Sequence, residues 1–335
     1  MGYDVKVKID LLKPIGKVGF GMPLILIENA SAAIPYKEVT DAAEAVTAGL
    51  AANSDASKAV QLLFAQTHAP KRIAVCGVTT DAKTALADAT LTDRDWRQLI
   101  VINAGETATT LSDLITAVEK LPGKLLFASL DTDDTTELTV TDVQRTVLFY
   151  CDATTDAPVP AAALVGESAG RAAGSFTYKN LVLTGLAAQQ LTSAQIDAIH
   201  RKGGITFVAK AGDNVTSEGK AAGGEYIDII DSEDYIVQQL TYKTQKALNN
   251  ADKVPYDNNG IALLESVAVD VLQNAYNNGM IVTNEDGTPG YSVSYALRED
   301  TSDTDRASRV YLGGSFAFKL SGAIHTVEIT GSITV

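Results

Sequence analysis

Residues 72–104 read RIAVCGVTTDAKTALADATLTDRDWRQLIVINA and contain a strand, a helix and a second strand in succession. The strands RIAVCGV and QLIVINA are continuous apolar runs, and residues 81–90 between them are predicted to be helical. Strands that are apolar on both faces and alternate with helices are typical of a parallel sheet covered on both sides. The alternation continues through a helix at 111–121 and strands at KLLFASL (124–130) and TVLFYC (146–151). The sequence therefore predicts an α/β domain.

A chain of 335 residues is long enough for two domains, each with its own core. The predicted division is an N-terminal arm and linker (1–20), the α/β domain (21–170), an α+β domain (171–321) and a C-terminal arm (322–335). The α/β domain begins with the buried strand MPLILIE (22–28). Helices at 232–249 and 259–278 are the longest elements expected in the second domain.

Local signals define several elements of the second domain. Thr192 with Gln195 predicts a capping box at a helix start, and Ser232 is the expected N-cap of the first long helix. Short strands are predicted at ITFVAK (205–210) and EYIDII (225–230). The run MIVTNEDGTPGYSVSYAL (280–297) predicts a β-hairpin that turns at Asp286-Gly287.

Both ends of the chain have apolar residues at every second position, which is typical of amphipathic strands. The apolar positions are Tyr3, Val5, Val7, Ile9 and Leu11 at the N-terminus and Val327, Ile329, Ile333 and Val335 at the C-terminus. A strand at a chain end needs a sheet to join. The pattern leaves two partners open, a sheet of the same subunit or a sheet of a neighbouring one.

The composition excludes several classes of partner. A net charge of −14 opposes binding to the phosphate backbone of nucleic acid and to an anionic membrane. No apolar run reaches the ~20 residues needed to span a bilayer, and no signal peptide is recognisable, so we expect folding in a cytoplasm. Cys76 and Cys151 end apolar runs and are expected to be buried free thiols. No metal or other cofactor is predicted.

One motif suggests nucleophilic catalysis. Gly166-Glu167-Ser168-Ala169-Gly170 matches the G-x-S-x-G of a nucleophile elbow, in which the serine lies on a sharp strand-to-helix turn. The alanine-rich run before it, with Pro160 at a helix start, instead predicts that Ser168 lies within a helix. His200 or His325 would have to serve as the base.

A second candidate is the acidic run Asp131 to Asp134, which follows KLLFASL. The carboxyl ends of parallel strands are where ligands and metals bind, so a divalent cation is one interpretation. A solvated acidic loop is the other, because neither a glycine nor a later glutamate completes a calcium-loop pattern.

Residues 176–335 resemble the C-terminal part of contractile-tail sheath proteins of bacteriophages and related injection particles. The resemblance rests on the order of four blocks, FTYKNLVLTGLAAQQLTSAQIDAIHRKGGITFVAK (176–210), IDIIDSEDYIVQQL (227–240), KVPYDNNGIALLESVAVDVLQNAYNNGMI (253–281) and DRASRVYLGGSFAFKLSGAIHTVEITGSITV (305–335). No single block is specific, but their order is. The α/β half of the chain supports the resemblance more weakly.

The resemblance implies a structural subunit, not an enzyme, that polymerises helically around an inner tail tube. It implies a subtilisin-like topology for the α/β domain and strand exchange of both arms with neighbouring subunits. Contraction would be a rigid-body rearrangement with Gly16, Gly19, Gly21 and Gly322 as hinges.

The implied partners are further copies of the chain, the tail tube protein, and baseplate and tail terminator proteins. The implied location is a virion tail or tailocin particle assembled in the host bacterial cytoplasm. Two other interpretations stay open: an α/β hydrolase that uses Ser168, and an α/β module that binds a ligand or metal.

Overall fold

The computed structural model describes residues 20–102, 108–134 and 143–326 and divides into two compact units. The sheet unit comprises Gly21–Ala172 and Phe176–Ile227, together with residues 323–326. The C-terminal unit comprises Ala173–Ser175 and Asp228–Gly322, together with Phe20. The predicted arm residues Tyr3, Val5, Val7, Ile9, Leu11, Val327, Ile329, Ile333 and Val335 and the predicted hinges Gly16 and Gly19 lie outside the described residues.

The sheet unit alternates strands with helices through most of its length. Its strands are β1 (Met22–Ile27), β2 (Ile34–Val39), β3 (Ile73–Gly77), β4 (Trp96–Ile102), β5 (Leu125–Leu130), β6 (Thr146–Tyr150), β7 (Gly204–Lys210) and β8 (Asp213–Thr216). Its helices are α1 (Ala42–Thr47), α2 (Asp55–Phe64), α3 (Ala82–Ala85), α4 (Ala89–Thr92), α5 (Ala108–Val118), α6 (Ala161–Ala169) and α7 (Ser193–Arg201). The capping box predicted for Thr192 and Gln195 opens α7.

These strands form one sheet in the order β2-β3-β1-β4-β5-β6-β7-β8. The strands from β3 to β7 in this order run parallel, and the edge strands β2 and β8 are antiparallel to their neighbours. The register places Leu26 of β1 between Cys76 of β3 and Val101 of β4. The predicted parallel-dominated α/β sheet is confirmed.

Helices pack on both faces of this sheet because its central strands are apolar on both sides. On one face, Leu24 and Leu26 of β1 share a buried cluster with Ile115 and Val118 of α5. On the other, α6 contacts β1, β4 and β5, and α2 contacts β1 and α6. Cys76 and Cys151 are buried free thiols, as predicted.

The structure places residues 176–227 in the sheet unit, whereas the sequence suggested a domain boundary near residue 171. The physical reason is that β7 pairs in parallel with β6, from Leu148↔Gly204 to Tyr150↔Thr206. The chain between Ala173 and Thr192 forms turns and loops, and β7 then extends the existing sheet instead of starting a new one.

The C-terminal unit consists of two long helices and a two-stranded ribbon. Its elements are α8 (Ile227–Asn250), α9 (Asn258–Asn277), β9 (Tyr291–Tyr295), a 3-10 turn (Arg298–Asp300), α10 (Asp303–Ser308) and β10 (Gly314–Phe318). Ile236 and Leu240 of α8 pack against Val271 and Leu272 of α9 in one apolar cluster, and Phe318 of β10 belongs to the same cluster. This cluster is the core of the unit.

Three predictions for this unit differ from the structure. EYIDII is not a strand, because Ile227 to Ile230 form the first turn of α8, and Ser232 lies inside the helix with its hydroxyl donating to the Asp228 carbonyl at 2.7 Å. The turn at Asp286-Gly287 is present, with Gly287 at φ +83°. The strand that follows it, however, pairs along its length with the distant β10 and makes only a short bridge, Thr283↔Pro289, to the residues before the turn.

Two predicted hinge glycines differ in their surroundings. Gly21 has φ +94°, and a Cβ placed on it would lie 2.7 Å from the Cβ of Arg97, so it is a close-packed position at the start of β1. A Cβ placed on Gly322 would meet no heavy atom within 4 Å. The structure therefore has room for a side chain at Gly322 but not at Gly21.

Candidate functional site

The G-x-S-x-G motif is part of a helix and does not form a sharp turn. Ser168 lies in the last turn of α6 and is 3% exposed. Its hydroxyl donates to the Val165 carbonyl at 3.2 Å and accepts from the Gln98 side chain at 3.3 Å. A buried serine that bonds its own helix has neither the exposure nor the geometry of an elbow nucleophile.

The glycines of the motif have a packing role that the sequence analysis missed. A Cβ on Gly166 would lie 2.3 Å from the carbonyl oxygen of Leu63 at the end of α2, and a Cβ on Gly170 would lie 2.0 Å from that of His68. The spacing of four residues puts both glycines on one face of α6, where they let its backbone approach α2 and the turn after it. A pair of glycines four residues apart in a helix is the signal that could have indicated this contact.

Glu167, between these glycines, holds the same contact by charge. It is 2% exposed, and its carboxylate contacts Nδ1 of His68 at 2.6 Å and the guanidinium of Arg171. Burial opposes ionisation of Glu167, but the hydrogen bonds from Arg171 and His68 outweigh it and lower the pKa of the carboxyl group. The motif thus stabilises a helix contact.

The acidic run after β5 makes ordinary loop contacts. The Asp131 carboxylate accepts from the Ala153 amide at 3.3 Å, and the Asp134 carbonyl accepts from the Lys202 ammonium at 2.7 Å. Asp152 accepts from both the amide and the hydroxyl of Thr132. Within residues 20–102, 108–134 and 143–326, no three His, Cys, Asp or Glu side chains lie where they could hold a metal ion.

The two histidines that could have served a serine nucleophile make other bonds. His200, on α7, contacts the Ser217 hydroxyl through Nε2 at 2.8 Å, and burial lowers the pKa of its imidazole. His325 contacts the Thr177 hydroxyl through Nε2 and the Glu218 carboxylate through Nδ1, each at 2.8 Å. Neither contact involves Ser168, so the described residues bring no catalytic triad together around it.

His325 lies in a polar socket at the start of the C-terminal arm. Its carbonyl accepts from the Lys179 ammonium at 2.9 Å, and its ring meets Tyr226 edge-on with centroids 4.7 Å apart. Burial opposes ionisation of Glu218, but hydrogen bonds from the Gly219 amide and His325 and the charge of Lys179 outweigh it and lower the pKa of Glu218. The socket residues are far apart in sequence, and no sequence signal pointed to them.

The ribbon of the C-terminal unit presents an apolar stripe that runs past its own core. Tyr291, Val293 and Tyr295 of β9 pack with Phe316 and Phe318 of β10 against the helices. Gly314 pairs with Tyr295, and the Ala296 amide donates to the Gly313 carbonyl. Just beyond the paired residues, the side chains of Leu312 and Leu297 are 72% and 47% exposed.

No helix of the described residues has the length and apolar content required to cross a bilayer.

The sequence and the fold were compared with known proteins. Residues 227–333 match the family described as E217 tail sheath protein gp31-like, C-terminal domain. No curated protein sequence matches the chain.

Solved structures share the fold over nearly the whole chain. A chain of the anti-feeding prophage (AFP) baseplate is 14% identical with a TM-score of 0.71, and one of the AFP helical sheath in its contracted state is 13% identical with a TM-score of 0.71. For each, the match covers 99% of this chain and 98% of the other. A chain of the contracted sheath complex of PVC, an extracellular contractile injection system, is 11% identical with a TM-score of 0.73. That match covers 99% of this chain and 97% of the other. Residues 227–333 thus match a tail sheath C-terminal domain, and the chain as a whole shares its fold with chains of the AFP and PVC sheath structures.

Proposed function

We propose that this protein is the subunit that polymerises as a helical sheath around an inner tail tube and contracts to drive the tube through a cell envelope. The observation that carries the proposal is the match of residues 227–333 to a tail sheath C-terminal domain. The fold, shared with chains of a contracted AFP sheath and a contracted PVC sheath, supports it. The role is structural, without chemistry at Ser168.

Strand exchange is the proposed means of assembly. Among the described residues, β9 and β10 form a sheet of only two strands, and a two-stranded ribbon gains stability from further strands. Residues 3–11 and 324–335 have the alternation of edge strands and would reach roughly 30 Å and 40 Å when extended. We infer that these arms add to the ribbon of a neighbouring subunit by β-augmentation. A contact of this head-to-tail kind that does not close builds a filament.

The exposed apolar pair at the end of the ribbon fits this scheme. Leu297 and Leu312 lie just beyond β9 and β10, and both side chains are open to solvent. An arm with Val327, Ile329, Ile333 and Val335 on one face supplies the matching apolar side chains, and such cross-strand contacts set the register of an added strand.

Contraction is proposed to be a rigid-body rearrangement of whole units. Each unit has its own buried core and would move as a body, and Gly322, where an added Cβ would meet no atom within 4 Å, is the proposed hinge on the C-terminal side. Gly21 is too closely packed to serve, so Gly16 and Gly19 remain the proposed hinges on the N-terminal side.

The proposed partners are further copies of the chain, a tail tube protein, and baseplate and tail terminator proteins. The AFP baseplate structure contains a chain of this fold, which supports the baseplate contact. The proposed location is the tail of a virion or tailocin, with assembly in the host bacterial cytoplasm.

Negative-stain microscopy of the purified protein tests the proposal. We expect concentration-dependent tubes from the full chain and only unassembled subunits after deletion of residues 323–335. Ile329→Asp, on the apolar face of the arm, should abolish tubes, whereas the matched control Thr330→Asp, on the polar face, should leave them. Tubes that persist after the deletion would refute strand exchange, and a full chain that never forms tubes would refute the sheath function.

A further inference from the structure

The chain from Ser321 to Thr326 touches the rest of the protein mainly through one side chain. Ile324 is 85% exposed, and Ser321, Gly322, Ala323 and Thr326 are exposed as well. The imidazole of His325 is only 7% exposed. One buried side chain in an otherwise solvent-facing strip marks a specific attachment point.

The attachment uses every polar group that the histidine offers beyond its amide. Both ring nitrogens and the carbonyl oxygen are engaged, by Thr177, Glu218 and Lys179 at 2.8–2.9 Å. The edge-on contact with Tyr226 closes the remaining side. All four partners belong to the sheet unit, so the attachment is to the subunit's own sheet unit.

The socket has hydrogen bonds of its own that do not involve the histidine. The Tyr178 carbonyl, between Thr177 and Lys179, accepts from the Thr216 hydroxyl at 2.6 Å, which fixes this segment to β8. The Gly219 amide donates to the Glu218 carboxylate at 2.9 Å and orients it. Because a carboxylate acceptor makes a stronger hydrogen bond than a neutral one, the contact with Glu218 is expected to carry most of the attachment.

We propose that His325 anchors the root of the C-terminal arm in this socket and thereby fixes where, and with which face, the arm leaves its own subunit. The inference rests on the proposed function of the arm. In an extended chain, His325 shares a face with Val327, Ile329 and Ile333, because alternate side chains point the same way. The anchor therefore presets the apolar face of the arm. It also excludes the residues before His325 from the part of the arm that is free to extend.

The fixed origin has a consequence for assembly. An arm that starts from a defined point can meet only one register on a neighbouring sheet, whereas an arm loose from Ser321 onwards could slip by a residue and turn its apolar face outwards. Loss of the anchor also adds residues that must be ordered during assembly, and ordering each residue costs conformational entropy. Both effects weaken polymerisation without removing a contact between subunits.

The test combines arm mobility with tube formation in the full chain. A spin label on Thr326→Cys reports the arm, since Cys76 and Cys151 are buried. In the unassembled protein we expect His325→Ala to shorten the rotational correlation time of the label at least threefold. His325→Asn, which keeps a donor for Glu218, should have an intermediate effect. The control Ile324→Ala, at the exposed neighbour, should have none.

In unlabelled protein, His325→Ala should raise the concentration needed for tubes at least tenfold, while Ile324→Ala leaves it unchanged. Thermal unfolding of each variant separates these effects from loss of the fold, and Glu218→Gln should reproduce them if His325→Ala folds poorly. An unchanged label mobility in His325→Ala overturns the anchor. If the label becomes mobile in His325→Ala but tube formation is unchanged, the role of the anchor in assembly is overturned. If even the unaltered chain forms no tubes, the sheath function fails, and the label alone still decides whether His325 holds the arm.

Discussion

Replacing Gly166 by alanine separates the packing role of the G-x-S-x-G motif from a catalytic one. The added methyl group would lie 2.3 Å from the Leu63 carbonyl oxygen and 2.8 Å from Cγ of Gln66. A Cβ contact needs at least 3.0 Å, so α6 and the end of α2 must separate by about 0.7 Å, the difference between 2.3 and 3.0 Å. The obstructing atom is a backbone carbonyl in a helix and cannot rotate away.

The size of the effect follows from two opposing contributions. Overpacking of this kind costs about 1–3 kcal/mol, and the contact with backbone favours the upper part of that range. Alanine is a better helix former than glycine by about 1 kcal/mol. The net expectation is a loss of about 1–2 kcal/mol. For a unit of this size, 1 kcal/mol lowers Tm by about 2–4 °C, so the expected decrease is roughly 2–8 °C.

Calorimetry of four variants makes the comparison. Gly166→Ala and Gly170→Ala should both lower Tm, because a Cβ at Gly170 would lie 2.0 Å from the His68 carbonyl oxygen. Gly322→Ala, where the Cβ meets nothing within 4 Å, should leave Tm unchanged. Ser168→Ala adds no atoms but removes the acceptor of the buried Gln98 side chain, so it should cost about 1–3 kcal/mol without moving the helices apart. An unchanged or raised Tm in Gly166→Ala would refute the packing argument, and an ester turnover that Ser168→Ala abolishes would restore the hydrolase interpretation.

Two further predictions concern protonation. Because Arg171 and His68 lower the pKa of Glu167 in the folded protein despite its burial, its ion pairs stabilise the protein above the unfolded carboxyl pKa of about 4.3 and lose that effect as the pH falls through the folded value. Melting curves of the parent and Glu167→Gln should therefore differ most near pH 7 and converge in acid, and a gap that stays constant with pH would contradict this. Burial raises the pKa of the Cys151 thiol to about 12 and also raises that of Cys76. We expect neither thiol to react with Ellman's reagent at pH 8 until denaturant is added, and fast reaction of the native protein would show that one of them is accessible.

Much of the fold could be predicted from local sequence. The strands β1, β3, β4, β5 and β6 were predicted because residues buried on both faces must be apolar throughout, which needs no knowledge of the partner strand. Helices α7 and α9 were predicted for a similar reason, since caps and apolar spacing are contained within the helix itself. Ser168 could be assigned to a helix from the alanine-rich run before it. The order of these local elements was also the basis of the resemblance to contractile-tail sheath proteins.

Predictions failed where the outcome depended on contacts between distant residues. The apolar alternation of EYIDII suits a strand, but Ile227 and Ile230 are buried as part of α8, so tertiary packing overrode the local preference. The strand after the Asp286-Gly287 turn pairs with β10, beyond the reach of any hairpin pattern. The assignment of residues 176–227 to the sheet unit likewise depended on the free edge of β6.

The sequence by itself determined most of the strands and helices of the sheet unit, the parallel character of the main sheet, and the resemblance of residues 176–335 to contractile-tail sheath proteins. Only the tertiary structure decided that Gly166 and Gly170 serve a helix contact and that His325 enters a socket with Glu218, 107 positions away in sequence. The physical reason is the range of the interactions. Periodicity and capping act over a few residues, whereas close packing and buried hydrogen bonds depend on atoms that only the folded chain brings together.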